Sequence, residues 1–131
     1  MPNTSVNPWD WSKALGFDQA VLVEGASRQL FCAGQTSVDE EGRPVHAGDM
    51  RAQLGRALDN LEGVLAAGGM GLADVTRLTI FATDVDAAMA AFDVLGARLG
   101  PAGASPPQTL VGVARLALPE LMIELEATAA R

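Results

Sequence analysis

Cysteine, histidine and basic residues are all scarce in this chain. A single cysteine, Cys32, in 131 residues excludes an internal disulfide and fits a reducing, cytoplasmic setting. It sits in the apolar run Leu30-Phe31-Cys32-Ala33, where a thiol acts as a small buried hydrophobe rather than a reactive group. The single histidine, His46, has no cluster of cysteine partners and makes no metal site. Its setting, Pro44-Val45-His46-Ala47-Gly48, reads as a solvent-facing loop, and no Ser-His-Asp arrangement follows from it. Nine Lys and Arg against sixteen Asp and Glu leave a net charge of -7. The basic residues are scattered, which argues against a nucleic-acid surface. No apolar run approaches the ~20 residues needed to cross a bilayer, and Met1-Pro2-Asn3-Thr4-Ser5 lacks the basic and apolar regions of a signal peptide. Gly68-Gly69 and Gly71 lack the strand-then-helix setting of a phosphate loop. The expectation is a cytoplasmic protein with no metal, no cofactor, no membrane and no nucleic-acid partner.

What is abundant is apolar surface. A chain of this length implies one domain, and 49% hydrophobic residues is a full load for a globule that hides only part of its surface. Surplus apolar residues suggest burial against other subunits.

Residues 1–15 show no steady period and hold Trp9 and Trp11, so they read as an N-terminal arm ahead of a domain over 16–131. Two short apolar runs, 20–24 and 28–34, flank Gly25-Ala26-Ser27 and suggest a hairpin. Gly42-Arg43-Pro44 marks a loop. From Asp49, apolar residues at Met50, Leu54, Leu58, Leu61 and Leu65 trace one helix face, with Asp49 as its cap and Gly68-Gly69 as its stop. Val75 to Phe81 alternates as a strand, with Val75, Arg77, Thr79 and Phe81 on one side. A second helix is predicted over Asp86 to Leu99, from the spacing of Met89, Phe92, Leu95 and Leu99. Three prolines and a glycine between Pro101 and Pro107 demand irregular backbone. Thr109 to Leu116 and Leu121 to Thr128 close the chain as strands. The order β-β-α-β-α-β-β is an α+β domain, a mixed sheet with two helices on one face. The other face then needs an apolar partner unless it is polar throughout.

Several stretches resemble the YjgF/RidA family of small imine and enamine deaminases. Pro106-Pro107-Gln108-Thr109-Leu110-Val111-Gly112-Val113-Ala114-Arg115-Leu116 and Ile123-Glu124-Leu125-Glu126-Ala127-Thr128 look like the closing strands of that family. Gly16-Phe17-Asp18-Gln19-Ala20 is similar to its Pro-Tyr-Ser-Gln-Ala segment, and Phe31-Cys32-Ala33-Gly34-Gln35 to its Thr-Ser-Gly-Gln strand end. Leu58-Asp59-Asn60-Leu61 and Thr79-Ile80-Phe81-Ala82-Thr83-Asp84 match its first helix and the following strand. The resemblance implies a chorismate-mutase-like subunit of a homotrimer, with small-molecule ligands held in clefts between subunits.

It also assigns roles. Glu124 falls on the family glutamate that points into the cleft and positions the attacking water, and Gly34 on a glycine whose backbone approaches the ligand. Glu124 and Glu126 share a strand face, and alternation alone reads both as solvated. Gln108 stands where the deaminases carry an arginine that clamps the substrate carboxylate. A carboxamide offers neutral donors in place of a bidentate guanidinium, although Gln108 also reads simply as a loop end. Arg115, an odd number of residues on, would project from the opposite face of a regular strand. Phe17 replaces a tyrosine, Ala33 a serine, Phe92 an asparagine and Leu110 a cysteine, which makes the ligand-binding cleft more apolar. Trp9 and Trp11 either clip the arm onto the domain or wall the cleft beside Phe17.

Three functions remain open at this point. The first is a deaminase or related hydrolase for neutral or apolar imines and enamines, with Glu124 directing water. The second is a non-catalytic trimer that binds a small apolar ligand. The third is a ribonuclease or translation inhibitor, which the acidic balance opposes.

Overall fold

The computed structural model describes residues 3–131. Its strands are β1 (Asn3–Val6), β2 (Ala20–Val23), β3 (Gln29–Phe31), β4 (Gln35–Thr36), β5 (Val75–Ala82), β6 (Gln108–Gly112) and β7 (Ile123–Ala130). The helices are α1 (Met50–Ala67), α2 (Val85–Ala90) and α3 (Phe92–Leu99). The main sheet runs β3-β7-β5-β6, with β4 also paired to β7. β6 lies parallel to β5 and the other pairings are antiparallel, so the sheet is mixed, as expected for an α+β domain.

The heptad-like leucines of α1 build the core. Leu54, Leu58, Leu61 and Leu65 are at most 1% exposed and pack with Leu78, Ile80, Ile123 and Leu125 from the sheet. Truncating any one of them to alanine would cost about 2–5 kcal/mol. Asp49 caps α1, its carboxylate accepting from the Ala52 N–H, and Gly68 with Gly69 (φ 73°) ends it, both as the sequence suggests.

Four expectations need correction. Residues 20–24 and 28–34 do not form a hairpin: β2 pairs with β1, while β3 pairs with β7. The turn after Gly25 instead aims the chain at the C-terminus, where Ser27 and Arg28 donate their N–H groups to the Arg131 carbonyl. The helix predicted over 86–99 is broken at Ala91 (φ -100°, ψ 2°) into α2 and α3. No proline or glycine marks the break and the apolar spacing continues through it, so periodicity cannot register it. A bulge between Val75 and Arg77 turns Val75 into the core, leaving Arg77, Thr79 and Phe81 on the other face. β6 ends at Gly112, so Arg115 lies beyond it in irregular backbone, donating to the Leu116 carbonyl at 3.1 Å; strand phase does not apply to it.

Both helical units cover one sheet face. The opposite face is mixed rather than uniformly apolar: Phe31 (74% exposed), Phe81 and Val111 share it with Thr79, Thr109, Glu124, Glu126 and Thr128. No helix is long and apolar enough to cross a membrane among the described residues.

Candidate functional site

Glu124 is carried by β7, opposite Thr36 of β4 and Phe81 of β5. Its neighbours Ile123 and Leu125 are fully buried beneath α1, so strand alternation sends its half-buried side chain to the uncovered face. Gly34 lies directly against it. Between the Phe31–Thr128 and Gln35–Leu125 pairs, the β3–β4 segment holds one residue more than β7, which is a bulge. A Cβ built on Gly34 would collide with the Glu124 carboxylate and come within 2.9 Å of its Cγ. Only a residue without a side chain leaves the carboxylate room there. Ala33 beside it is exposed, and its carbonyl accepts from Gln35 Nε2 at 3.1 Å.

Two side chains of α1, not foreseen from the sequence, hold the strands that present this pair. Gln53, fully buried, donates from Nε2 to the carbonyls of Glu120 (2.8 Å) and His46 (3.2 Å) and accepts from the Met122 N–H (2.8 Å). Asn60 donates to the carbonyls of Thr36 (2.9 Å) and Val38 (3.0 Å). One fixes the chain just before Glu124 and the other the chain just after Gly34. Their spacing of seven places both on one side of the helix, and a pair of amides beside a leucine face is the signal that could have revealed them.

Gln108, Phe92 and Leu110 are elsewhere. Gln108 pairs with Leu78 and Leu110 with Ile80, both core residues, so β6 turns these side chains to the helix face. Phe92 and Leu110 pack at the margin of the core. Phe92 and Gln108, with Leu15, Leu95 and Leu99, line a cavity of about 130 Å3 between α3 and β6. β5 separates β6 from β7, so one chain does not bring Gln108, Phe92 or Leu110 to Glu124.

Phe17 lies at a third place, a polar hollow of about 520 Å3 shared with Ser5, Asn7, Lys13, Asp18 and Ser105. Its ring meets Trp11 edge-on, centroids 5.8 Å apart, while Trp9 and Trp11 remain 61% and 58% exposed. The arm is pinned by Asp18, which accepts from the Ser5 (2.6 Å) and Ser105 (2.9 Å) hydroxyls and from Asn7 Nδ2 (2.9 Å). Burial acts to raise the Asp18 pKa, but these donors and the Lys13 charge outweigh it and hold the carboxyl below its ordinary value. Burial pushes the Cys32 thiol up, in keeping with an inert role. His46 is exposed in its loop, and no His, Cys, Asp and Glu group suited to a metal occurs among the described residues.

The family profile described as Endoribonuclease L-PSP matches residues 12–131. The chain belongs to the YjgF/RidA family. It is similar to the protein DfrA of Myxococcus xanthus, 37% identical over 105 residues, which covers 79% of this chain and 78% of that one. A RutC family protein of Pyrococcus abyssi is 30% identical over 113 residues, covering 86% and 84%. Among solved structures, the Rid family protein YyfB of Yersinia pestis, described as of unknown function, superposes with a TM-score of 0.86 at 34% identity over the full length of both chains. Family membership and the α+β fold therefore stand together. Within that family, this chain has Gln108 on β6 and Glu124 against Gly34 on β7.

Proposed function

We propose that the protein is a YjgF/RidA-type hydrolase of uncharged imines or enamines, working as a homotrimer whose clefts lie between subunits. The observation that carries this reading is the Glu124 carboxylate laid over Gly34 on the sheet face that no helix covers. In this reading a second copy brings its β6 edge, with Gln108, Phe92 and Leu110, to the Glu124 face of the first. Glu124 takes a proton from water as the water oxygen bonds to the imine carbon. The C=N electron pair moves to nitrogen, which is then protonated, and the carbinolamine expels ammonia to leave a carbonyl. Gln108 supplies no positive charge, so a substrate carboxylate finds no guanidinium partner and uncharged substrates are favoured.

The test is Glu124→Gln, which keeps the shape and removes the base. Benzaldimine, generated in place from benzylamine by a flavin amine oxidase, serves as substrate. The expected result is a trimeric mass by light scattering in both forms, with accelerated aldehyde and ammonia release only in the wild type. A monomer near 13.6 kDa at micromolar concentration defeats the assembly, and undiminished turnover by Glu124→Gln defeats the role of the carboxylate. The replacement of the family tyrosine, serine, asparagine and cysteine by Phe17, Ala33, Phe92 and Leu110 favours a second reading, a trimer that binds such ligands without converting them. Binding with no acceleration of hydrolysis would establish it.

A further inference from the structure

Arg77, Glu124 and Glu126 place charge on the sheet face that no helix covers, among Phe31, Phe81, Val111 and several threonines. Strand alternation does not separate the two glutamates, but their surroundings do. Glu124 is half-buried and laid over Gly34. Glu126 is exposed and has no ion pair among the described residues. Arg77 is exposed too. It stands in register with Thr128, beside the Thr79–Glu126 pair, so Glu126 lies on the adjoining diagonal, a spacing of about 7–8 Å that long side chains can span. The pair is nevertheless not made within the chain. Arg77 turns the other way and donates from Nη2 to Thr109 Oγ1 of β6 at 2.9 Å, which leaves most of its guanidinium donors open. The face therefore carries its cation towards β6 and its unpaired carboxylate on β7, with the 74% exposed ring of Phe31 beyond on β3. Apolar and threonine side chains supply contact for a protein partner, and opposite charges at the two sides set its register. The two sides complement each other, so the partner of matching chemistry is a second copy of this chain, its β6 side set against the β7 side of the first.

We infer that Arg77 of one copy pairs with Glu126 of the next across this face, so that Glu126 holds the assembly together and Glu124 is left free for chemistry. The inference rests on the between-subunit reading of the cleft given above, and adds the contact that fixes how the two chains approach. The test follows mass by light scattering through a dilution series of the full chain. It compares wild type, Arg77→Glu, Glu126→Arg, the double variant, and an equimolar mixture of the two single variants, with circular dichroism as the check on folding. Close charge pairs at interfaces couple strongly enough that each single reversal should raise the dissociation midpoint at least about tenfold. The double variant should recover most of that loss. In the mixture, a contact between unlike chains restores an opposite-charge pair and a contact between like chains does not, so mixed assemblies should form at dilutions where neither single variant assembles. Recovery in the double variant without recovery on mixing would place the pair inside one chain and overturn the inference. Where a reversal unfolds the chain, Arg77→Gln and Glu126→Gln take its place, and assembly equal to wild type in both overturns it. Glu124→Gln should keep the wild-type mass at every dilution; dissociation as strong as that of Glu126→Gln would show that the two carboxylates do not divide their roles. A wild-type trimer indifferent to all the charge changes defeats the pair and leaves the cleft reading standing. A wild-type dimer that either reversal splits and mixing rejoins keeps the pair and defeats the trimer, whereas a wild-type monomer defeats both.

Discussion

Asp18 offers a quantitative test of how the N-terminal segment is held. It is 7% exposed, and both of its oxygens are in use. Oδ2 receives the Ser5 and Ser105 hydroxyls and Oδ1 receives Asn7, while the Gln19 N–H donates to Asn7 Oδ1 at 2.8 Å. A hydrogen bond to a charged group contributes about 1.5–3 kcal/mol net, but after truncation Ser5, Asn7 and Ser105 regain water from the open hollow beside them. Asp18→Ala should therefore cost about 2–4 kcal/mol rather than the full sum. Asp18→Asn keeps one acceptor for Asn7 and turns an amide towards two hydroxyls that can rotate to accept, so it should cost about 1–2 kcal/mol. The sign with pH follows from the lowered pKa of the folded state. The carboxylate's contribution is fully present above the unfolded value near 3.9 and is lost as pH falls through the lower folded value. Urea midpoints at fixed protein concentration, from pH 7 down to pH 3, should show wild type and Asp18→Asn converging as acid is added. A gap that stays constant with pH, or Asp18→Ala within about 0.5 kcal/mol of wild type, a change typical of featureless surface sites, would refute the network as drawn.

Further outcomes follow from the same geometry. Gln53→Leu leaves the Glu120 and His46 carbonyls and the Met122 N–H without their partner, and should destabilise by about 2–4 kcal/mol in thermal or urea unfolding; a neutral effect would show that water replaces the amide. Gly34→Ala should displace the Glu124 carboxylate with a loss of stability below about 3 kcal/mol, and remove benzaldimine turnover out of proportion to that loss. Wild-type protein should turn over 2-iminobutanoate poorly in a coupled assay, because Gln108 cannot bind its carboxylate as a guanidinium would. RNA should neither bind nor be cleaved, since the net charge is -7; salt-sensitive, sub-micromolar binding in a filter assay would contradict this.

The fold was legible where a single periodicity governs. The leucines of α1, the caps at Asp49 and Gly68, and the alternation of Ile123, Leu125 and Ala127 against Glu124 and Glu126 each report a local rule that the structure keeps. What escaped were features decided by distant partners. Nothing in Asn3-Thr4-Ser5-Val6 announces a strand, because β1 exists by pairing with β2 and by the bond from Asn3 Nδ2 to the Ala130 carbonyl. The hairpin expected over 20–34 failed for the same reason: its second run prefers the edge of β7, which the sequence places about a hundred residues away. The bulge that turns Val75 inward is invisible to alternation, since one extra residue reverses every assignment on one side of it.

The candidate site divides along the same line. Glu124 and Gly34 were named from resemblance, and their contact has a local cause, a bulge in β3–β4 opposite a regular β7. Gln108, Phe92 and Leu110 belong to a different surface of the chain, because the parallel pairing of β6 with β5 sets Gln108 and Leu110 in register with the core residues Leu78 and Ile80. Any chemistry that joins the two sets must cross a boundary between chains. This makes assembly and turnover inseparable in the proposed reading: a substitution that only weakens subunit association, such as a charge introduced at Phe31 on the open sheet face, should lower turnover in step with the trimeric fraction. Turnover that survives in dissociated protein would place the reacting atoms within a single chain, and Glu124 would then have to act without Gln108.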